Sequence, residues 1–223
     1  DHWSDKDNRL AAYQAMSAGL GGAGGDLQVM AETSGGILDL MDTFSTLPDF
    51  THVGAYPDSS LGERMQLVAR LMAADLGMRY FHVAQGGFDD HSDQNQDNGH
   101  AENLAKVSQA VSALYDDLAA VGLADDTLIV VFSEFGRTVY ENGSGGTDHG
   151  SVGPVLVLGN GVTGGLTTPH PSMDPADIDP DTDELPMTTD FRDVLGTIVG
   201  EWLGGDPGTV FPGHSYTNLG FLA

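Results

Sequence analysis

Thr127-Leu128-Ile129-Val130-Val131-Phe132 is an apolar run of strand length that opens directly onto the polar stretch Ser133-Glu134-Phe135-Gly136-Arg137-Thr138. Ahead of it, Leu104, Val107, Val111, Leu114, Leu118 and Val121 keep the three-four rhythm of an amphipathic helix from His100 to Val121, and Gly122 supplies its stop. Further upstream, Arg79-Tyr80-Phe81-His82-Val83-Ala84 reads as a buried strand. Strand, helix, strand in this order is the mark of a parallel sheet covered by helices. A third short strand is expected from Pro154 to Leu158. A last helix is expected from Asp190 to Leu203, with Phe191, Val194, Leu195, Ile198 and Trp202 on its face. The pattern predicts an α/β fold, an α/β/α sandwich whose sheet is mostly parallel.

Working outward, Leu10, Tyr13, Met16 and Leu20 recur at helical spacing before Gly21-Gly22-Ala23-Gly24-Gly25, which predicts a short helix and a flexible loop. A second apolar run surrounds Ile37 to Phe44. Ser60 and Glu63 can form a capping box at the head of a helix with Leu61, Met65, Val68 and Met72 on one face, stopped by Gly77.

With 223 residues the chain suits one domain, 1–223, with a substantial core. Eight basic residues against 33 acidic ones leave a net charge of −25, which repels a phosphate backbone and argues against nucleic acid as a partner. Lys6 and Lys106 are the lysines, and this acidity suits a solvated surface adapted to high salt or to divalent cations. Cysteine is absent, so disulfides and thiolate metal sites are excluded. No apolar run reaches the roughly 18 residues of a membrane span, and the polar start Asp1-His2-Trp3-Ser4 is not a signal peptide. The abrupt start leads us to expect a missing upstream segment or a partner chain.

In open α/β sheets, ligands collect beyond the carboxyl ends of the strands. Gln85-Gly86-Gly87-Phe88-Asp89-Asp90-His91 follows the first strand, Ser133 to Thr138 follows the second, and Gly146-Thr147-Asp148-His149-Gly150 precedes the third. Each presents a carboxylate, an imidazole or both, beside glycines that let the backbone bend close to an ion. Asp89, His91, Glu134 and His149 are the candidate ligands, with Asp148 in reserve. An oxygen and imidazole set without sulfur suits a divalent metal: zinc or manganese first, calcium or magnesium as alternatives. Such an ion could polarise a phosphoryl, sulfuryl or carbonyl oxygen. Arg137 is the candidate for stabilising an anionic transition state, and pairing with Glu134 is its competing role.

Blander roles compete elsewhere. Asp90 and Asp148 could simply close Asx turns. His100 lies at a helix start where capping competes with ligation, and His82 inside a strand reads as a core histidine. His2, His52, His170 and His214 lie in loop-like contexts that favour exposure. The acidic loop between Asp174 and Glu184 superficially resembles a calcium loop, but Thr182 and Thr188 stand where an EF-hand needs glycine and glutamate. It reads as a solvated loop.

Gly86-Gly87-Phe88-Asp89-Asp90-His91, Phe132 to Thr138, Glu141-Asn142-Gly143-Ser144-Gly145-Gly146-Thr147-Asp148-His149-Gly150 and Thr189-Asp190-Phe191-Arg192 closely resemble the C-terminal half of the bacterial family called domain of unknown function 1501. Members of that family look like the alkaline phosphatase and sulfatase superfamily. Thr147-Asp148-His149 also resembles phosphopentomutases, in which that histidine binds manganese. Where those enzymes carry an Asp-His pair, this chain reads Glu134-Phe135.

The resemblance implies an alkaline phosphatase-like domain lacking its N-terminal part, a small anionic ester as substrate, and a periplasmic or extracellular location. The expected activity is metal-dependent hydrolysis of phosphate or sulfate esters. Its rivals are an inactive metal-binding or structural protein that keeps the fold, and a serine-type esterase. No hydroxyl here stands in for the nucleophile that the superfamily carries in its N-terminal half.

Overall fold

The computed structural model describes residues 24–97 and 99–222, together with residues 11, 12, 14, 15, 18 and 19. The helix expected on Leu10, Tyr13, Met16 and Leu20 lies outside the described residues. The chain divides into two compact units, one of residues up to Phe50 with Arg70–Leu76, the other of Thr51–Ala69 and Gly77 onward.

In the first unit, α1 spans Gly25–Ser45 and absorbs the apolar run around Ile37 to Phe44. Its C-terminal carbonyls are met locally: Ser45 Oγ donates to the carbonyl of Asp42 at 2.8 Å, and the Thr46 N–H donates to the same carbonyl at 3.1 Å. Leu47 and Leu71 are buried. Arg70 ties the segment down, donating from Nε to the Pro48 carbonyl at 2.9 Å and from Nη2 to the Leu47 carbonyl at 2.5 Å.

The next helix, α2, runs Ser60–Ala73. Its cap is Ser59 rather than Ser60: the Ser59 hydroxyl accepts from the Gly62 N–H at 3.2 Å, and its carbonyl accepts from the Glu63 N–H at 3.0 Å. The capping residue must sit outside the helix, where its side chain can turn back on the first free N–H groups. The expected face is right, since Leu61 and Val68 are buried, joined by Ala69.

Helix α3, His100–Ala120, is the spine of the second unit. Ala110, Val111, Ala113, Leu114 and Leu118 are buried, whereas Leu104 and Val121 at the ends of the predicted stripe are exposed. Gly122 ends the helix at φ +76°, and the Leu123 N–H reaches back to the Leu118 carbonyl at 2.8 Å. The buried face also carries two polar residues, Asn103 and Asp117. Asp117, fully enclosed, accepts from His52 Nδ1 (2.6 Å), Tyr56 Oη (2.7 Å), the Val53 N–H (2.7 Å) and the Gly54 N–H (2.9 Å). The chain at Gly54 passes so close to α3 that a Cβ there would lie 2.1 Å from the Ala113 carbonyl oxygen.

Four short strands follow: β1 Ile129–Val131, β2 Gly136–Arg137, β3 His149–Gly150 and β4 Leu156–Leu158. Both pairings are antiparallel, β1 with β4 (Ile129↔Leu158, Val131↔Leu156) and β2 with β3 (Gly136↔Gly150, Arg137↔His149). The expected second and third strands thus occur as neighbours, but the connection between them contains the β2–β3 hairpin instead of a crossover helix, so the chain returns in the opposite direction. Parallel pairing does not occur among the described residues. Residues 79–84 belong to no helix or strand and have no ladder partner there, and Tyr80 is 79% exposed. His82, expected in a core, is exposed as well.

Beyond β4, α4 (Phe191–Thr197) continues into a π-helical turn, Ile198–Trp202, and a short α5 spans Pro207–Val210. Asp190 caps α4, accepting from the Arg192 N–H at 2.8 Å and pairing with its guanidinium. Phe191 on the expected apolar face is exposed, while Ile198 is buried. No helix among the described residues is long and apolar enough to cross a membrane.

Candidate metal centre

Two glycine-rich loops and one hairpin build the site. In the first loop, Gly87 sits at φ +90°, its carbonyl accepting from Asn103 Nδ2 of α3 at 2.6 Å. A Cβ at Gly87 would stand 2.9 Å from that same nitrogen, so the position requires glycine twice over. Phe88 meets His100 edge-on at 5.6 Å, and together these contacts fix the approach to Asp89 and His91.

The second loop is folded by Asn142. Its Oδ1 accepts from the N–H groups of Ser144 (2.9 Å) and Gly146 (3.2 Å), while its own N–H donates to the Gly146 carbonyl at 2.8 Å. The loop then lies directly on the first. Asp93 and Gln94 donate to the carbonyls of Ser144 (3.1 Å) and Gly145 (3.0 Å), and Asn142 Nδ2 donates to the His91 carbonyl at 3.0 Å. Gly146 packs so tightly that a Cβ would lie 2.4 Å from the carbonyl carbon of His91. The β2–β3 register makes Arg137 and His149 direct cross-strand neighbours beside these loops.

The result is a convergence of three donor atoms. His149 Nε2 lies 2.7 Å from Asp89 Oδ1, His91 Nε2 lies 3.0 Å from the same oxygen, and the two Nε2 atoms are 3.1 Å apart. Nitrogens bound to one zinc at about 2.0–2.1 Å stand roughly 3.3 Å apart at tetrahedral angles. The observed separation of the two nitrogens, 3.1 Å, is close to that spacing. The side chains of Asp89, His91 and His149 are 60%, 48% and 49% exposed, so the trio is open to solvent. Asp89, His91 and His149 could hold a metal ion.

Neighbouring groups tune this trio. Phe135 stacks on the His149 ring at 4.0 Å and 14° between planes, fixing its tilt. The hydrogen bond from His149, followed by that from Arg137, holds the Asp89 carboxyl below its ordinary range. Asp148 is likewise held low, chiefly by His91 and then by Asn142. Both aspartates therefore keep the charged form that a cation or an imidazole N–H needs.

A family described as "Protein of unknown function (DUF1501)" matches residues 29–197 of the chain. The chain belongs to this family. No curated protein and no solved structure matches it. The matched span of this DUF1501 protein contains every candidate site residue.

Among those candidates, the DUF1501 chain brings Asp89, His91 and His149 together as expected. Glu134 is not in the group: it is exposed, and its Oε2 accepts from Ser133 Oγ at 3.3 Å. Phe135, the next residue, occupies the space against His149. Arg137 pairs with Asp89 (Nη1 to Oδ1, 3.2 Å) and donates from Nε to Thr147 Oγ1 at 3.0 Å, while its Nη2 is buried without a hydrogen-bond partner. Asp148 contacts the outer nitrogen of His91, Nδ1, at 2.9 Å, away from the convergence.

Three of the other histidines have contacts elsewhere. His100 packs on Phe88, His52 bonds Asp117, and His214 bonds Asp193 at 2.9 Å. The acidic loop closes on itself, with Asp179 Oδ1 accepting from the N–H groups of Asp181 and Thr182. Asn142 was not read from the sequence as a site residue, although Asn-Gly-Ser-Gly-Gly is turn chemistry that could have marked it.

Proposed function

We propose that this protein is a metal-dependent hydrolase of phosphate or sulfate esters. Asp89, His91 and His149 hold one divalent cation, zinc or manganese by the chemistry of the donors. The observation that carries the reading is the meeting of two imidazole Nε2 atoms 3.1 Å apart over a single carboxylate oxygen. Without an ion, a single proton on His149 Nε2 faces both Asp89 Oδ1 at 2.7 Å and His91 Nε2 at 3.1 Å. A cation satisfies all three atoms at once.

When bound, the ion supplies a Lewis acid for an ester oxygen. One carboxylate and two neutral imidazoles leave a dication partly uncompensated, and Arg137 adds a second positive charge beside it. In a chain of net charge −25, this is a place where a small anionic ester is attracted instead of repelled. Arg137 is held by Asp89 and Thr147, so its guanidinium stays oriented toward the site without a substrate.

The same reading extends the family membership to a likeness with the alkaline phosphatase and sulfatase superfamily. The chain then represents the C-terminal half of an α/β/α sandwich in which residues 79–84 join a parallel sheet. Their strand-type sequence and their exposure support this. A further segment or partner chain supplies the nucleophile, and a periplasmic or extracellular setting belongs to the same proposal.

A second reading, a metal-binding protein without turnover, is favoured by the engagement of the nearby hydroxyls. Ser133 bonds Glu134, and Thr147 donates to Gln94 at 3.1 Å. Metal content after zinc or manganese loading, measured beside a screen of aryl phosphates and sulfates, separates the two. We expect one ion per chain and turnover that disappears on chelation and returns with the ion. Full loading without turnover selects the second reading, and no loading sinks both.

A further inference from the structure

We propose that Asp148 is a positioning residue: through Nδ1 it fixes the tautomer and tilt of His91, and Asn142 in turn orients Asp148. This inference rests on the metal-site reading above and assigns separate tasks to adjacent residues, ligation to His149 and orientation to Asp148.

The geometry is specific. His91 Nδ1 lies 2.9 Å from Asp148 Oδ1, while His91 Nε2 points the other way, into the convergence with Asp89 and His149. An ionised carboxylate can only accept, so Nδ1 must carry the hydrogen. In the neutral ring Nε2 is then left with its lone pair, the form a cation requires. Without Asp148 the proton could sit on either nitrogen, and the Nε2–H tautomer offers no lone pair to the ion. Metal-ligating histidines commonly donate their other N–H to a carboxylate in this way, and losing that partner weakens metal binding about 10–100-fold.

Asp148 is itself aimed. Asn142 Nδ2 donates to the same Oδ1 at 3.1 Å and to the His91 carbonyl at 3.0 Å, so one amide holds both the carboxylate and the backbone of the residue it serves. The Asp148 N–H is anchored on Thr138 Oγ1 at 3.0 Å, and its carbonyl accepts from the Thr138 N–H at 3.0 Å. The carboxylate is 62% exposed, so it contributes little to the core and its replacement spares the fold.

The test uses the full chain with histidine imidazoles labelled by nitrogen-15, and zinc as the probe. In the wild type, His91 is expected as the Nδ1–H tautomer before zinc is added, with its Nε2 resonance moving on addition. D148A should lose the tautomer preference and bind zinc 10–100-fold more weakly by calorimetry. D148N should stay within a few-fold of the wild type, because the Asn142 amide is a donor and turns the new carbonyl, an acceptor, toward His91. N142A should fall between them. An unchanged tautomer in D148A overturns the proposal. So does a D148N as weak as D148A, which would make the charged oxygen of Asp148 a ligand. Should the wild type bind no zinc, the metal-site reading fails, yet the tautomer shift in metal-free D148A still decides whether Asp148 orients His91.

Discussion

Two aspartates of this protein each sit against imidazole, and their surroundings could hardly differ more. Asp117 is fully buried on α3 and receives four donors, two on each oxygen, from His52, Tyr56 and the backbone of Val53 and Gly54. Every lone pair that points into the protein is used. Asp89 is 60% exposed and meets Arg137 and His149 through one oxygen, with His91 Nε2 3.0 Å from that oxygen and the two ring nitrogens facing each other. The first arrangement is closed, with both oxygens fully engaged, so it holds the chain together; the second is open, and its three donor atoms could hold a metal ion. Saturation of the carboxylate, more than its neighbours' identity, separates a structural node from a ligand site.

The largest effect expected from this contrast is on stability. Asp117→Ala strips the partner from four donors inside the core and should cost about 3–5 kcal/mol in urea unfolding. Zinc affinity of the folded fraction should change by less than about threefold. An equal loss of metal binding in this variant would break the division of labour between the two nodes.

Next in size is the complementary change. His149→Ala removes a ring that bonds Asp89 and stacks on Phe135, and zinc affinity should fall at least about 100-fold, near 2.7 kcal/mol. Unfolding of the metal-free variant should shift by about 0.5 kcal/mol or less, because the side chain is half exposed. A stability loss comparable to that of Asp117→Ala would mean the exposed trio is structural too.

Acid sharpens the same comparison. Burial pushes the Asp117 carboxyl up, but the Gly54 N–H, with His52, Tyr56 and Val53, outweighs it and leaves the folded value below the ordinary range. The unfolded chain takes up this proton at about pH 3.9, while the folded one holds out to lower pH. The stabilisation is therefore intact above about pH 4 and is lost as pH falls through the folded value, with a slope of at most about 1.4 kcal/mol per pH unit. Asp89 and Asp148 are also held low, but their exposure lets water screen them. Urea titrations between pH 6 and pH 2 should thus show a steeper loss in the wild type than in Asp117→Ala. Parallel curves would remove Asp117 as the acid-sensitive node.

The unequal legibility of these regions has a physical cause. Asp89, His91 and His149 announced themselves because imidazoles and carboxylates beside glycines are rare enough in combination to be read directly. Asp117 did not, since one aspartate in a helix with the stripe Val111, Leu114, Leu118 reads as a solvated face until the 52–56 segment folds over it. Helices α2 and α3 were legible from their own apolar periodicity, which is local. Strand pairing was not: residues 79–84 carry strand-type sequence, but a ladder is a property of two segments, and the β2–β3 hairpin that reverses the chain has only two residues per strand. Asn142 was missed because its role lies in whom it holds, not in its chemistry.

Glu134 gives the smallest and most discriminating expectation. Sequence placed it with the ligands because it follows an expected strand, as Asp89 does, yet in the structure Phe135 stacks on His149 while Glu134 is exposed against Ser133. Glu134→Gln keeps the shape and removes the charge, and it should change zinc affinity by less than about threefold, well under 1 kcal/mol. Phe135→Ala, which frees the His149 ring, should weaken zinc binding more than Glu134→Gln does, although phenylalanine offers no donor to a metal. If the order were reversed, with the carboxylate mattering more than the aromatic ring, Glu134 would swing inward to complete the coordination. The centre would then have four protein ligands and correspondingly fewer open positions for a substrate.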